Sequence, residues 1–439
     1  MKSINYALLF FGCVIFHILG TWSLPLLDRD EPRFAEASRE MIERGNYIVP
    51  YFNDQVRLDK PPLTYWAQVA SYHVFGENDF AARFPSAVAA AASAVIIAVW
   101  GGRAGGEKLG WLAAIIFTLS LQTFVHAKAA VADMWLVLFV TIAHWSGYEL
   151  IQCRTVNRQP ATPDSQRLNR TSIIKDETLI WCSMFYLSLA FGFLAKGPIA
   201  WTPLLTVGVI IVYARDWPLL RHFKFVRGIL LTLVAVALWG IPALIQTHGR
   251  FFTVGIGRHV VSRSLTTLEG HGASSLGMYV VLLPFYFVTV FISFFPWSIK
   301  LPSVIRKLWR KKETGADARV GGELIDTYLI TGIAVIFIIF TFVSTKLPHY
   351  TLPAFPLLAI LVARHWCQGA GDERRRSAFC RLAIVTASAW IAVALAVPPM
   401  VARFFPAYQL FQAARGSLQP NMQFAAVEFQ EPRDRKSVV

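Results

Sequence analysis

Charge is what this 439-residue sequence has least of: 16% of its residues are Asp, Glu, Lys or Arg, against 55% hydrophobic and 14% aromatic. A soluble domain carries about 25% charged residues, so the deficit excludes an ordinary water-soluble globule and makes lipid the solvent of much of the surface. Cysteine is scarce too. The five present, Cys13, Cys153, Cys182, Cys367 and Cys380, fit no metal-ligand spacing. None falls in a segment placed on the external side of the membrane, so no disulfides are expected. There is no glycine-rich phosphate loop, no long polar stretch for a nucleotide-sugar domain, and no repeat of fixed period. No small-x-small cleavage site follows Gly20, so the apolar run 6–19 behind Lys2 reads as an uncleaved first span rather than a signal peptide.

What is present is a succession of apolar runs long enough to cross a bilayer, which takes roughly 17–25 residues. Hydropathy places spans near 5–27, 83–101, 109–126, 131–152, 179–195, 198–213, 228–247, 276–296, 325–344, 351–366 and 382–402. The expected fold class is therefore all-α, a polytopic transmembrane bundle of about 11–13 spans. With the N-terminus inside, the cytoplasmic loops hold 23 Lys and Arg and the external segments before the tail hold 13, as the positive-inside rule requires. Seven of those 13 lie in one external loop, 28–83, which breaks the trend. The net charge of +15 is thus loop charge, and nucleic acid is not an expected partner. Lys307, Arg310, Lys311 and Lys312 read as an anchor to anionic headgroups.

The exceptional loop opens with Asp28-Arg29-Asp30-Glu31-Pro32-Arg33-Phe34. Pro32 suits a first helical turn and Asp30 or Glu31 its cap. Phe34, Ala37, Met41 and Ile42 then recur at helical spacing, so an amphipathic helix on the membrane surface is expected, ended by Gly45-Asn46. Arg57-Leu58-Asp59-Lys60-Pro61-Pro62 follows; its proline pair imposes an extended approach to a second helical stretch. Further polar residues sit at outer span ends: Lys128, Asp133, Lys196, His259, Glu269, His271, Lys346 and His349. Ionisable groups near lipid usually face a cavity or a partner. Together they predict an external cavity lined by carboxylates, lysines, arginines and histidines. Such a cavity suits a polyprenyl-phosphate sugar. The tail needs a groove between spans, the phosphate needs Arg or Lys as the glycosidic bond breaks, and a hydroxyl acceptor needs a carboxylate base.

Asp30-Glu31-Pro32-Arg33-Phe34 and Leu58-Asp59-Lys60-Pro61-Pro62 resemble the lipid A aminoarabinose transferases and bacterial protein O-mannosyltransferase-like proteins, membrane glycosyltransferases of the GT-C type. Ala132-Asp133-Met134, Lys196-Gly197-Pro198, Glu269-Gly270-His271-Gly272, Phe295-Pro296-Trp297-Ser298 and Lys346-Leu347-Pro348-His349-Tyr350 extend the likeness over most of the chain. The resemblance implies a GT-C bundle with juxtamembrane helices in the first periplasmic loop, and inverting transfer from undecaprenyl-phosphate sugar at the periplasmic face of the bacterial inner membrane. The acceptor it implies is lipid A or another glycolipid, with protein as an alternative; a lipid transporter or flippase is the competing class. Asp30 falls on the essential carboxylate, with Glu31 and Lys60 as further catalytic candidates. Arg33, Arg57, Lys60, Asp133, Lys196 and Lys346 are the phosphate-binding candidates. Asp59 and His259 fall on a metal pair, which makes a divalent metal the one implied cofactor. Asp59 stands where the aminoarabinose enzymes usually have Glu.

The expected organisation is a transmembrane domain over 1–402 and, over 403–439, the start of a periplasmic C-terminal domain. Residues 434–439 read like translated adapter sequence, so the natural chain is expected to continue differently there.

Overall fold

The computed structural model describes residues 3–27, 30–157, 167–255, 276–313, 320–367, 373–404, 409 and 412–417. Helix dominates, as the apolar runs require: in lipid, a backbone satisfies its hydrogen bonds within each segment. Helix α1 (Ser3–Ile18) leads to α2 (Asp30–Arg44), a two-residue antiparallel hairpin (β1 Tyr51–Phe52, β2 Gln55–Val56) and α3 (Leu63–Phe75). The membrane bundle then runs α4 (Asp79–Gly105), α5 (Glu107–Leu119), the short α6 (Leu121–His126), α7 (Asp133–Asn157), α8 (Arg167–Lys196), α9 (Thr202–Ala214), α10 (Pro218–His222) and α11 (Phe225–Gln246). After it come α12 (Leu276–Val281), α13 (Phe285–Ser293), α14 (Leu301–Glu313), α15 (Val320–Phe342), α16 (Phe355–Cys367) and α17 (Glu373–Ala402).

Among the described residues, six helices are long and apolar enough to cross a membrane, and Phe285–Ser293 with Trp297–Arg310, bent by 119°, makes a seventh candidate. The expected 11–13 spans are therefore only partly visible as long helices. The others are shorter apolar helices such as Ser3–Ile18 and Pro198–Ala214. Breaks account for the shortening: Ser120 separates α5 from α6, and a 3-10 turn at Pro198–Trp201 precedes α9. Small residues let neighbours approach. A Cβ on Gly110 of α5 would stand 2.2 Å from the Ala98 carbonyl of α4. One on Gly20 would stand 1.8 Å from the Ala394 carbonyl of α17.

The first external loop folds as two packed helices. Helix α2 ends at Gly45, φ +61°, with Gly45 N–H donating to Ile42 and Asn46 N–H to Met41, a Schellman stop at the expected place. Its apolar face meets protein rather than lipid: Phe34, Ala37 and Met41 are buried with Tyr65, Val69 and Ala132. Helix α3 starts immediately after the proline pair. The loop is stitched to the bundle through Trp239, whose indole donates to the Ile48 carbonyl at 2.9 Å.

Candidate functional site

Helices α7 and α8 are antiparallel neighbours, so the start of one lies beside the end of the other. Asp133 opens α7, Lys196 closes α8, and the Lys196 ammonium donates to Asp133 Oδ1 at 2.6 Å. An anion at a helix N-terminus and a cation at a C-terminus each also suit the helix dipole. Gly197, φ +83°, turns the chain sharply into Pro198, which keeps Lys196 at the corner.

The pair sits between two cavities. The first, of about 420 Å³, is lined by Asp30, Glu31, His126, Lys128, Asp133 and His349, with apolar walls from Leu19, Phe124, Val393 and Val397. The second, of about 250 Å³, is lined by Asp59, Lys60 and Lys196 at one end and by Phe193, Leu233, Val236, Trp239, Ile241 and Leu244 along its length. Five of those six apolar residues, all but Phe193, belong to α11, which forms one wall of the second cavity. Asp133 thus faces one cavity and its partner the other.

Most sequence-predicted residues come together, with different roles. Asp30 is exposed at the first residue of α2 and lines the first cavity. Glu31, beside it, is buried and fully engaged. It accepts from Leu27 N–H at 2.6 Å and Ala130 N–H at 2.7 Å, and pairs with Arg83 at 2.8 Å. Arg83 in turn donates to the carbonyls of Thr21, Leu24 and Pro25. That knot ties α1, α2, α4 and the 127–132 turn together directly behind Asp30. Arg33 is half-buried on α2. Arg57 is turned inward: it donates to the Tyr65 hydroxyl at 2.8 Å, pairs with Asp59 at 3.0 Å and lies over the Phe34 ring. It lines neither cavity. Lys346 is buried and donates to the Phe340 and Thr341 carbonyls at the end of α15, a helix cap where a phosphate contact was expected.

Asp59 lines the second cavity with Lys60, while His259, Glu269 and His271 lie outside the described residues, as do 434–439. The described residues instead bring together another group able to hold a metal ion: His126, Asp133 and His349, with one ligand atom from each, all within 4.8 Å.

Arg83 and His126 were not singled out by sequence reasoning, whereas Lys128 was named among the polar residues at outer span ends. Arg83 carried a signal, a cation at the start of a long apolar helix. His126 at the end of α6 carried only its position. Lys128 looked like a surface anchor, but it donates to the carbonyls of Phe16, His17 and Leu19 and so closes α1. Burial pulls its ammonium down to about 7, against the three carbonyls that hold the proton. Burial likewise pulls the His349 imidazole down to about 3, opposed by Asp133.

Known proteins fit this geometry. The chain aligns over 94% of its length with the crystal structure of ArnT from Cupriavidus metallidurans bound to undecaprenyl phosphate, at 18% identity and a TM-score of 0.66, covering 75% of that chain. The apo structure of the same protein gives 0.63. The chain shares the fold of that protein. Residues 59–158 also match the family described as dolichyl-phosphate-mannose-protein mannosyltransferase. Among curated relatives, the undecaprenyl phosphate-alpha-4-amino-4-deoxy-L-arabinose arabinosyl transferase of Aeromonas salmonicida is 29% identical over 83% of this chain. That of Yersinia pestis is 27% identical over 86%. The chain spans 60% and 62% of those relatives' lengths. The resemblance read from the Asp30 and Lys60 motifs is thus borne out, and with it the GT-C bundle.

Proposed function

We propose that this chain transfers a sugar from a polyprenyl-phosphate carrier, undecaprenyl phosphate in bacteria, to a cell-envelope acceptor such as lipid A. The single observation that carries this reading is the Asp133–Lys196 pair, with an apolar groove ending in lysines on one side and a carboxylate-lined cavity on the other. The groove along α11 suits a polyprenyl tail, and Lys60 and Lys196 at its end suit the phosphate. Charge grows on that phosphate as the glycosidic bond breaks, and fixed cations in a site shielded from water stabilise it there. The acceptor enters the first cavity, on the side away from the departing phosphate, so attack inverts the anomeric carbon. A hydroxyl acceptor delivers its proton to Asp30, whereas a phosphate acceptor arrives ionised and needs no base.

Lys and Arg bias in the loops supports a cytoplasmic N-terminus in the inner membrane and a periplasmic site. The relatives' names supply an undecaprenyl-phosphate carrier and an aminoarabinosyl group, and the family match over 59–158 favours a protein acceptor, the alternative to lipid A. The test is transfer by the purified chain in proteoliposomes, from undecaprenyl-phosphate sugar to lipid A or to a periplasmic protein extract, read by mass spectrometry. Labelled lipid A supports the first acceptor and labelled protein the second. Intact donor with both acceptors, in protein whose fold is verified by a cooperative melt, overturns the proposal.

A further inference from the structure

We propose that His126, Asp133 and His349 form a binding site for a divalent transition-metal ion of the zinc type, distinct from the Asp59 and His259 positions. The three come from separate pieces of chain: the end of α6, the start of α7 and the 3-10 turn Pro348–Ala354. His126 and Asp133 flank one short turn, and the tertiary fold brings His349 to them from more than two hundred residues away. One ligand atom from each lies within 4.8 Å of the others, and the two imidazole rings stand 5.0 Å apart between centroids. Zinc holds nitrogen and oxygen at about 2.0–2.2 Å, which puts neighbouring ligands about 3.4 Å apart in a tetrahedron. Each ligand atom need move by no more than about an ångström to reach that spacing.

The donor set fits the ion. Two imidazoles and one carboxylate are a common protein complement of zinc when a fourth position is left open. All three residues line the first cavity, where Asp30 and Lys128 also lie, so water or an anionic oxygen can reach that fourth position. The orientation of His126 agrees. Its Nδ1 is engaged by Gln122, 3.0 Å from the side-chain amide nitrogen and 3.2 Å from the backbone carbonyl, which leaves Nε2 as the ring nitrogen for a ligand. Metal-bound histidines are usually fixed by such an outer hydrogen bond.

Lys196 makes the site conditional. Its ammonium already holds Asp133 Oδ1, and an incoming cation must share that carboxylate through the second oxygen. Metal binding and the ion pair therefore oppose each other, and removing the lysine charge strengthens the metal. This inference stands apart from the transfer reading, because binding is measured without turnover.

The experiment uses the full chain in detergent, stripped by chelator and titrated with Zn2+ against a fluorescent chelator, and separately with Co2+. One zinc per chain is expected, with cobalt bands of a four-coordinate nitrogen and oxygen site. His126→Ala and His349→Ala each weaken binding at least about tenfold, Lys196→Met tightens it, and His73→Ala, an exposed histidine, leaves it unchanged. X-ray absorption on zinc-loaded wild-type protein, which needs no variant to fold, is expected to count two imidazoles. No stoichiometric zinc, fewer than two imidazoles, or unchanged affinity in the His126→Ala/His349→Ala double variant overturns the proposal.

Discussion

Asp133 and Lys196 are bonded at 2.6 Å across the boundary between two cavities, one residue lining each. Side-chain exposures of 10% and 17% leave the pair little shielded by water, so the two act as one unit. Asp133→Asn and Lys196→Met should each slow transfer, while the double variant is hardly slower than the worse single. A coupling of about 1–3 kcal/mol is expected from kcat/KM of the four proteins. Additive losses would show that the residues serve the two cavities separately.

Asp30 is exposed, at the first residue of a helix anchored by its neighbour. Asp30→Asn should therefore leave the melting temperature and membrane insertion unchanged while slowing transfer to a hydroxyl acceptor by about a hundredfold or more. A normal single-turnover rate in the purified variant would remove Asp30 from the chemistry.

Two neighbouring cations are expected to separate by phenotype. Lys60 lines the groove, and Lys60→Ala should lower kcat with little change in melting, by up to about 4 kcal/mol of transition-state stabilisation. Arg57 is committed to Tyr65 and Asp59, and the planar fork that meets both is lost in Arg57→Lys. That variant should lower the melting temperature first. Rate and melt measured on both proteins decide this; a stable Arg57→Lys with a large loss in kcat would return Arg57 to the phosphate site.

Glu31 and Arg83 are both buried, so removing either partner leaves a charge stranded. Glu31→Gln or Arg83→Met should cost about 3–5 kcal/mol. Thermal unfolding in detergent measures it. A melting temperature within a degree of wild type would show that the knot behind Asp30 is not structural.

The membrane bundle, the break at the proline pair and the end of α2 at Gly45-Asn46 were legible in the sequence, because hydropathy and backbone geometry are local properties. The same holds for the choice of Asp30, Lys60, Asp133 and Lys196: ionisable groups at span ends are costly wherever the chain folds, and their presence is itself a signal. Which cation lines a cavity wall between the helices and which closes a helix was not legible. Lys60, Lys128, Lys196 and Lys346 look alike along the chain, yet Lys128 and Lys346 cap carbonyls while Lys60 and Lys196 line the groove. Glu31 and Arg57 likewise became framework because Arg83 and Tyr65 arrived from later helices. The sequence determined that charge would gather at one end of a lipid-embedded bundle. Only the packing of α2, α4, α7 and α8 decided which charges pair with one another and which line the cavities, since that depends on contacts across a hundred residues of chain and more.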